Sequence, residues 1–240
     1  CQNADGVRSF RVSILNPSLI VGFLGVLLLL EPDFGCTAVI LCVTLGMMFL
    51  AGTPMKYIGG AVFVAGCAIL LLIMISPYRL DRVMSFLDPW ADPYGSGFQL
   101  VQALIALGSG EWFGVGLGSS VQKLFYLPHA SNDFIVAVVG EELGLVGVYF
   151  LLATYIYLIW CVFKLGQHAL RENEIFGARL AQGIGLLIGI QVILHFAVNF
   201  GLVPTKGLNL PLMSYGGSSM LSTGFALGLL ISVSQKISRI

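Results

Sequence analysis

Residues 143–163, LGLVGVYFLLATYIYLIWCVF, run for 21 positions without a charged side chain, directly after the pair Glu141-Glu142. A bilayer core of about 30 Å needs about 20 apolar residues when the chain is helical. This stretch is therefore read as the hydrocarbon part of a span over 134–163. Five more stretches satisfy or approach the same length requirement: 13–30, 36–52, 57–76, 177–200 and 213–234. Together they predict an all-α polytopic membrane protein with six transmembrane helices, forming a single membrane domain over residues 1–240.

Composition supports that class. Of the 240 residues, 57% are hydrophobic and only 10% are charged, with a mean hydropathy of +0.93. A soluble domain carries about a quarter charged residues. The formal net charge is zero, which gives no basis for nucleic-acid binding or for membrane-surface binding through bulk electrostatics. Cys36, Cys42, Cys67 and Cys161 lie in apolar runs and Cys1 stands first, with no C-x-x-C spacing among them. Buried, unpaired thiols are expected.

Lysine and arginine set the expected orientation. The N-terminus, the 53–57 turn, the 164–179 loop and the C-terminus hold eight of the twelve, and the opposite set holds Arg79, Arg82, Lys123 and Lys206. The richer side is read as cytoplasmic, and both termini with it. Residues 77–133 then form a large extracytoplasmic loop. It has Asp-Pro turns at Asp88-Pro89 and Asp92-Pro93, many glycines and several aromatics. Within it, Phe98–Leu107 is an apolar run too short to span, as expected of a re-entrant or interfacial half-helix.

The residues able to carry chemistry cluster on that outer side. Ser131-Asn132-Asp133 precedes the helix starting at Phe134, and any of the three is a favoured N-cap. The alternative is that one residue caps while Asp133 presents an ionised carboxylate, stabilised by the helix N-terminus, as a general base. Glu141 and Glu142 lie roughly 12–13 Å further along the helix axis and are turned away from Asp133, so they are not expected to form an acid/base pair with it. Pairing of these carboxylates with a neighbouring helix and a role at the site remain open alternatives. Lys123, Lys206, Arg79 and Arg82 are either solvated cations or the counter-charges of a phosphorylated lipid. Gly114–Ser120 looks like a nucleotide loop but lacks the strand before it and the Gly-Lys-Ser/Thr ending. Ser214-Tyr215-Gly216-Gly217-Ser218-Ser219 is read as close packing or a helix break. Among His129, His168 and His195 nothing has metal-ligand spacing.

Taken in order, these segments resemble one family. They are Pro32-Asp33-Phe34-Gly35, the Asp88-to-Gln99 stretch, Gly116–Lys123, Tyr126-Leu127-Pro128, Asp133-Phe134, Gly140-Glu141-Glu142-Leu143-Gly144 and Ser214–Ser218. The chain is similar, from about residue 8 to its end, to the SEDS proteins (shape, elongation, division and sporulation) of bacteria. Pro204-Thr205-Lys206-Gly207-Leu208 and Val121-Gln122-Lys123 resemble the division branch more than the elongation branch. Where the family commonly has glutamate, alanine, histidine and threonine before its loop aspartate, this chain has His129, Ala130, Ser131 and Asn132. Glu31 stands where glutamine is usual.

The resemblance implies a peptidoglycan glycosyltransferase that polymerises lipid II at the outer face of the cytoplasmic membrane, at the division septum. It implies a class B penicillin-binding protein of the FtsI type as partner, alongside other division proteins. The family's essential aspartate falls on Asp133 and its conserved lysine on Lys206. Lys123, Arg79, Arg82, Gln122, Ser120, Tyr215 and Glu142 are the further expected substrate contacts, with a divalent cation, Mg²⁺ or Mn²⁺, as a possible cofactor. Family members have about ten membrane helices and this chain matches the last six. Four helices are thus expected upstream, and the 240-residue chain alone is expected not to polymerise. Two rival classes are a lipid II flippase, which needs a polar path across the membrane, and a non-catalytic division scaffold.

Overall fold

A computed structural model describes residues 16–31, 33–124, 127–128, 130 and 131–237. Arg8, Arg11, Pro32, Phe125, Tyr126, His129 and Arg239, all used in the sequence reading, lie outside the described residues. The described residues are all-helical: α1 (Asn16–Leu30), α2 (Phe34–Leu50), α3 (Met55–Ile75), α4 (Pro77–Leu87), α5 (Phe98–Ser109), α6 (Ile135–Arg171), α7 (Ile175–Asn199) and α8 (Gly217–Ile237), with a 3-10 turn at Gln122–Leu124. By length and composition α6, α7 and α8 can cross a membrane. The apolar helices α1, α2 and α3 form where spans are expected, with shorter apolar stretches over the described residues. At 12 residues α5 extends about 18 Å, too short to span, in line with the half-helix reading.

The boundaries carry local causes. Asp33 caps α2 by accepting the Cys36 amide at 3.0 Å. Ser76 and Pro77 separate α3 from α4, because proline at the first helical position cannot continue the preceding ladder. Short helices are expected within 77–133, and α4 is one that the pattern does not locate. The fourth span is expected to end at residue 163, whereas α6 continues through Lys164 and His168 to Arg171. The last helix starts at Gly217 rather than 213; before it lies a turn in which the Ser214 hydroxyl accepts the Leu210 amide at 2.8 Å and the Ser214 amide donates to Leu210 O at 3.0 Å.

The chain divides into two compact units. One contains residues 1–70, 158–190 and 224–240. Here α1 packs on α2, and Arg179 Nη1 donates to the Leu50 carbonyl at 2.6 Å and to Gln182 Oε1 at 2.9 Å. That guanidinium closes the end of α2. Ala169, Ala178 and Ile237 make a small core, and Lys236 pairs with Glu174 at 2.7 Å.

The other unit contains residues 71–157 and 191–223, and its core joins Ala103 and Ala106 of α5 to Leu127, Phe134, Ala137 and Val198. The long helix α6 breaks inside this unit. Gly144 adopts φ 67 and ψ −168. The amides of Leu145 and Val146, which would bond Glu141 and Glu142 in an unbroken helix, donate instead to the carbonyls of Glu111 (2.9 Å) and Trp112 (3.2 Å). In return, the carbonyls of Glu141 and Glu142 accept from the amides of Val115 (2.9 Å) and Gly116 (3.1 Å). The 111–116 turn is thus spliced into the helix ladder, and the freed groups are all re-paired. Close approach needs glycine: a Cβ on Gly110 would strike the Gly140 carbonyl, and one on Gly114 the Glu142 carbonyl.

Replacing Gly144 by alanine places a methyl group against the Gly114 amide and the Trp112 carbonyl in a left-handed conformation. The conformation alone costs about 1–3 kcal/mol, so thermal unfolding of the detergent-solubilised Gly144→Ala protein should show a clear drop in Tm. Gly228→Ala, which meets nothing within 4 Å, should leave Tm unchanged or raise it.

Candidate functional site

Asp133 stands two residues before α6 and is held through three consecutive backbone carbonyls. The Tyr215 amide donates to Ser131 O at 3.0 Å, the Ser214 hydroxyl to Asn132 O at 2.5 Å, and Asn199 Nδ2 to Asp133 O at 3.0 Å. Three points of attachment along successive residues fix both the position and the pitch of this segment. Its carboxylate faces the Lys206 turn: a Cβ on Gly207 would sit 3.3 Å from Asp133 Oδ2. Glycine there lets the backbone pass close to the acid.

The segment after α7 that carries Lys206 has no regular structure between residues 202 and 216, so its backbone groups need outside partners. Side chains supply them. Arg82 Nη1 donates to Thr205 O at 3.0 Å, His195 Nδ1 bonds Leu208 O at 2.6 Å, and the Tyr155 hydroxyl donates to Pro211 O at 2.5 Å. Because a carbonyl only accepts, His195 carries its proton on Nδ1. Leu212 is held at φ 66, a conformation that costs a branched residue about 1–3 kcal/mol and persists because its surroundings fix it.

Asn199 was not singled out in the sequence. It is fully buried, and its amide bonds Asp133 O and His195 O through Nδ2 while Oδ1 accepts the Ala137 amide at 2.9 Å. The first-turn amide that a local cap would serve is therefore satisfied from α7. The sequence does contain a signal: an asparagine at the end of an otherwise apolar run, where a polar group in a membrane segment marks a partner.

The other expected site residues form a second group where the 118–123 stretch meets the start of α6. Glu141, buried, accepts from Ser120 Oγ (2.5 Å), the Val121 amide (3.0 Å) and the Gln122 amide (3.4 Å). Glu142 pairs with Lys123, whose own amide donates to Ser120 Oγ at 3.1 Å. The acidic pair therefore binds residues 120–123 of the long loop and not a neighbouring helix. Ser120, Gln122, Lys123 and Glu142 thus come together, and Asp133, Lys206, Arg82 and Tyr215 come together through the bonds above. Arg79 lies in α4 and its side chain is outside the described residues. A cleft of about 380 Å³ opens beside the Lys206 turn, lined by Asp81, Arg82, Ser96, Gln99, Pro128 and Thr205 among others. Among the described residues no three His, Cys, Asp or Glu side chains come together as a metal site would require.

A family profile described as cell cycle protein, FtsW/RodA/SpoVE, matches residues 2–239. A probable peptidoglycan glycosyltransferase FtsW of Thioalkalivibrio sulfidiphilus is 50% identical over 232 residues, covering 97% of this chain and 58% of the relative. One of the same description from Alkalilimnicola ehrlichii is 53% identical over 217 residues, covering 90% of this chain and 54% of the relative. The chain thus spans a little over half the length of these curated relatives. Among solved structures it resembles a chain from work on the coordination of polymerization and crosslinking by a peptidoglycan synthase complex. That match has a TM-score of 0.72 and 28% identity, covering 95% of this chain and 65% of the other. The rod shape determining protein RodA of Thermus thermophilus matches with a TM-score of 0.61 and 28% identity, covering 95% of this chain and 58% of the other.

Truncating Asn199 to alanine strands the Ala137 amide and the Asp133 carbonyl in a buried place, at about 1–3 kcal/mol for each group left unsatisfied. Asn199→Ala should lower Tm and speed hydrogen exchange at the Ala137 amide. Glu141→Ala, which strands three donors, should cost more than Lys123→Ala, which breaks a partly exposed ion pair worth about 1 kcal/mol or less.

Proposed function

The chain belongs to the FtsW/RodA/SpoVE family of cell cycle proteins, and from that premise we propose that the intact protein is a peptidoglycan glycosyltransferase. It polymerises lipid II at the outer face of the bacterial cytoplasmic membrane during septal wall synthesis, beside a class B penicillin-binding protein. The observation that carries the reading is the mounting of Asp133. Its backbone is tied at three successive carbonyls while its carboxylate is directed at the glycine next to Lys206. A general base must be held at a defined distance from the proton it removes, and this arrangement supplies that rigidity.

In the proposed reaction the 4-hydroxyl of a lipid-linked GlcNAc attacks C1 of the MurNAc at the end of the growing strand. The new C1–O bond forms as the bond from C1 to the pyrophosphate oxygen breaks. The hydroxyl proton passes to Asp133, and undecaprenyl pyrophosphate leaves with the bonding pair. An α-linked donor gives a β-linked product, so one displacement with inversion suffices and no covalent enzyme intermediate is needed. Lys206 and Arg82, the latter bonded to the carbonyl of the neighbouring Thr205, offset the charge on the leaving group. The neighbouring cleft, with its serine, glutamine and carboxylate lining, suits a sugar. Lys123 and Glu142 serve mainly to fasten the loop, since drawing Lys123 to a phosphate would break their pair. These residues do not fit a dedicated cation cage. A Mg²⁺ or Mn²⁺ ion would take its oxygens chiefly from pyrophosphate and water.

The test is polymerisation of fluorescent lipid II by the intact protein with its partner, followed on gels. Asp133→Asn should lower the rate by about 10²–10⁴-fold, the usual contribution of a positioned base, with lipid II binding retained. Near wild-type polymer formation would remove Asp133 from the role. Lys206→Glu should weaken lipid II binding or turnover. Transport of lipid II across liposomes with no polymer formed would favour the flippase class instead.

A further inference from the structure

The turn spliced into α6 carries an apolar surface that the reaction does not use. Trp112 is 65% exposed, Phe113 83% and Leu117 77%, with Val115 also exposed. Side chains of this kind on a mobile loop would mean little, but this turn is not free to move. Four backbone bonds fix residues 111–116 to residues 141–146 of α6, so the depth of the turn is the depth of that part of the helix.

That depth is defined by the sequence. Glu142 is the last charge before the charge-free run 143–163, and Trp112 O accepts from Val146, three residues into the run. An amide in a helix points back toward the N-terminus, so the Trp112 carbonyl lies at the start of the apolar stretch, next to Glu111, which Leu145 holds at the same level. The exposed surface of α6 continues from there through Val146, Tyr149 and Phe150. The turn therefore extends, sideways and at the boundary, the surface that α6 presents to the hydrocarbon. Tryptophan and phenylalanine there gain from partial burial among headgroups and upper acyl chains, where an amphipathic ring is most stable.

We propose that Trp112, Phe113, Val115 and Leu117 form an interfacial wedge that inserts into the outer leaflet of the membrane. The splice at Gly144 transmits the leaflet's position to Glu141 and Glu142, and through them to the loop residues 118–123 that they hold. A protein partner, or the further helices expected in the intact protein, would account for the exposure, but not for the register of the turn with the edge of the charge-free run. The bilayer accounts for both.

The experiment uses the intact protein in vesicles of phosphatidylcholine and phosphatidylglycerol, with every tryptophan except Trp112 replaced by phenylalanine. Trp112 emission should fall strongly with lipids brominated near the headgroup end of the acyl chain, less with lipids brominated near the chain terminus, and little with aqueous iodide. Strong iodide quenching without a bromolipid effect means the turn lies in water; insensitivity to both means it is covered by protein. Either result overturns the proposal. A second measurement needs no substitution: a lipid with a diazirine high on its acyl chain should label the 110–118 peptide of the wild-type sequence. Labelling at Tyr149 and Phe150 with none at 110–118 overturns it as well.

Discussion

A membrane-spanning helix keeps its backbone satisfied by bonding to itself, and α6 gives that up at Gly144. The amides of Leu145 and Val146 and the carbonyls of Glu141 and Glu142 are released by the left-handed turn there, at the edge of the apolar run. Each unpaired group in such a place costs several kcal/mol, so a break survives only if something replaces the ladder. The 111–116 turn does so with two acceptors and two donors in matching order. The break also turns the acidic pair to the loop, where Glu141 gathers Ser120, Val121 and Gln122 and Glu142 holds Lys123. One interruption of a helix therefore organises residues 111–123 of the long segment between α5 and α6.

The same physics recurs around Asp133. The stretch after α7 is irregular backbone beside apolar helices, and Arg82, Tyr155 and His195 lend it the partners that secondary structure would have supplied. Asn199 does this twice, as surrogate cap for α6 and as donor to Asp133 O. Polar side chains in an apolar setting are expensive unless paired, and here each is used to hold main chain. The Asp133 segment and the stretch that carries Lys206 share a support in α7, where Asn199 bonds the one and His195 the other.

Legibility in the sequence followed the range of the interaction. The apolar helices and the short helix at residue 98 rest on local pattern and were readable, whereas Asp33 as the cap of α2 was not singled out although its signal is local. α4 was overlooked although its Ser76-Pro77 start is a local signal. The start of α8 could not be placed from pattern, because Ser214 spends its hydroxyl on Leu210 and on Asn132, the latter 82 residues away. Local pattern left Asp133 open between cap and carboxylate and the resemblance pointed to the carboxylate; what the sequence did not disclose is that the Ala137 amide is served by Asn199, 62 residues away.

What the sequence determined by itself is the solvent of the protein and the inventory of its charges. Several long runs without charge, in a chain with so few charges overall, suit lipid, and each charge stood out as a candidate. The tertiary structure decided how those charges are used: Glu141, Glu142 and Lys123 as fasteners of a loop, Asp133 and Lys206 as neighbours across a glycine. It also decided that α6 breaks. Those outcomes depend on which backbone groups meet across 20 to 80 residues of chain, and a helix-length pattern of hydrophobicity holds no record of that pairing.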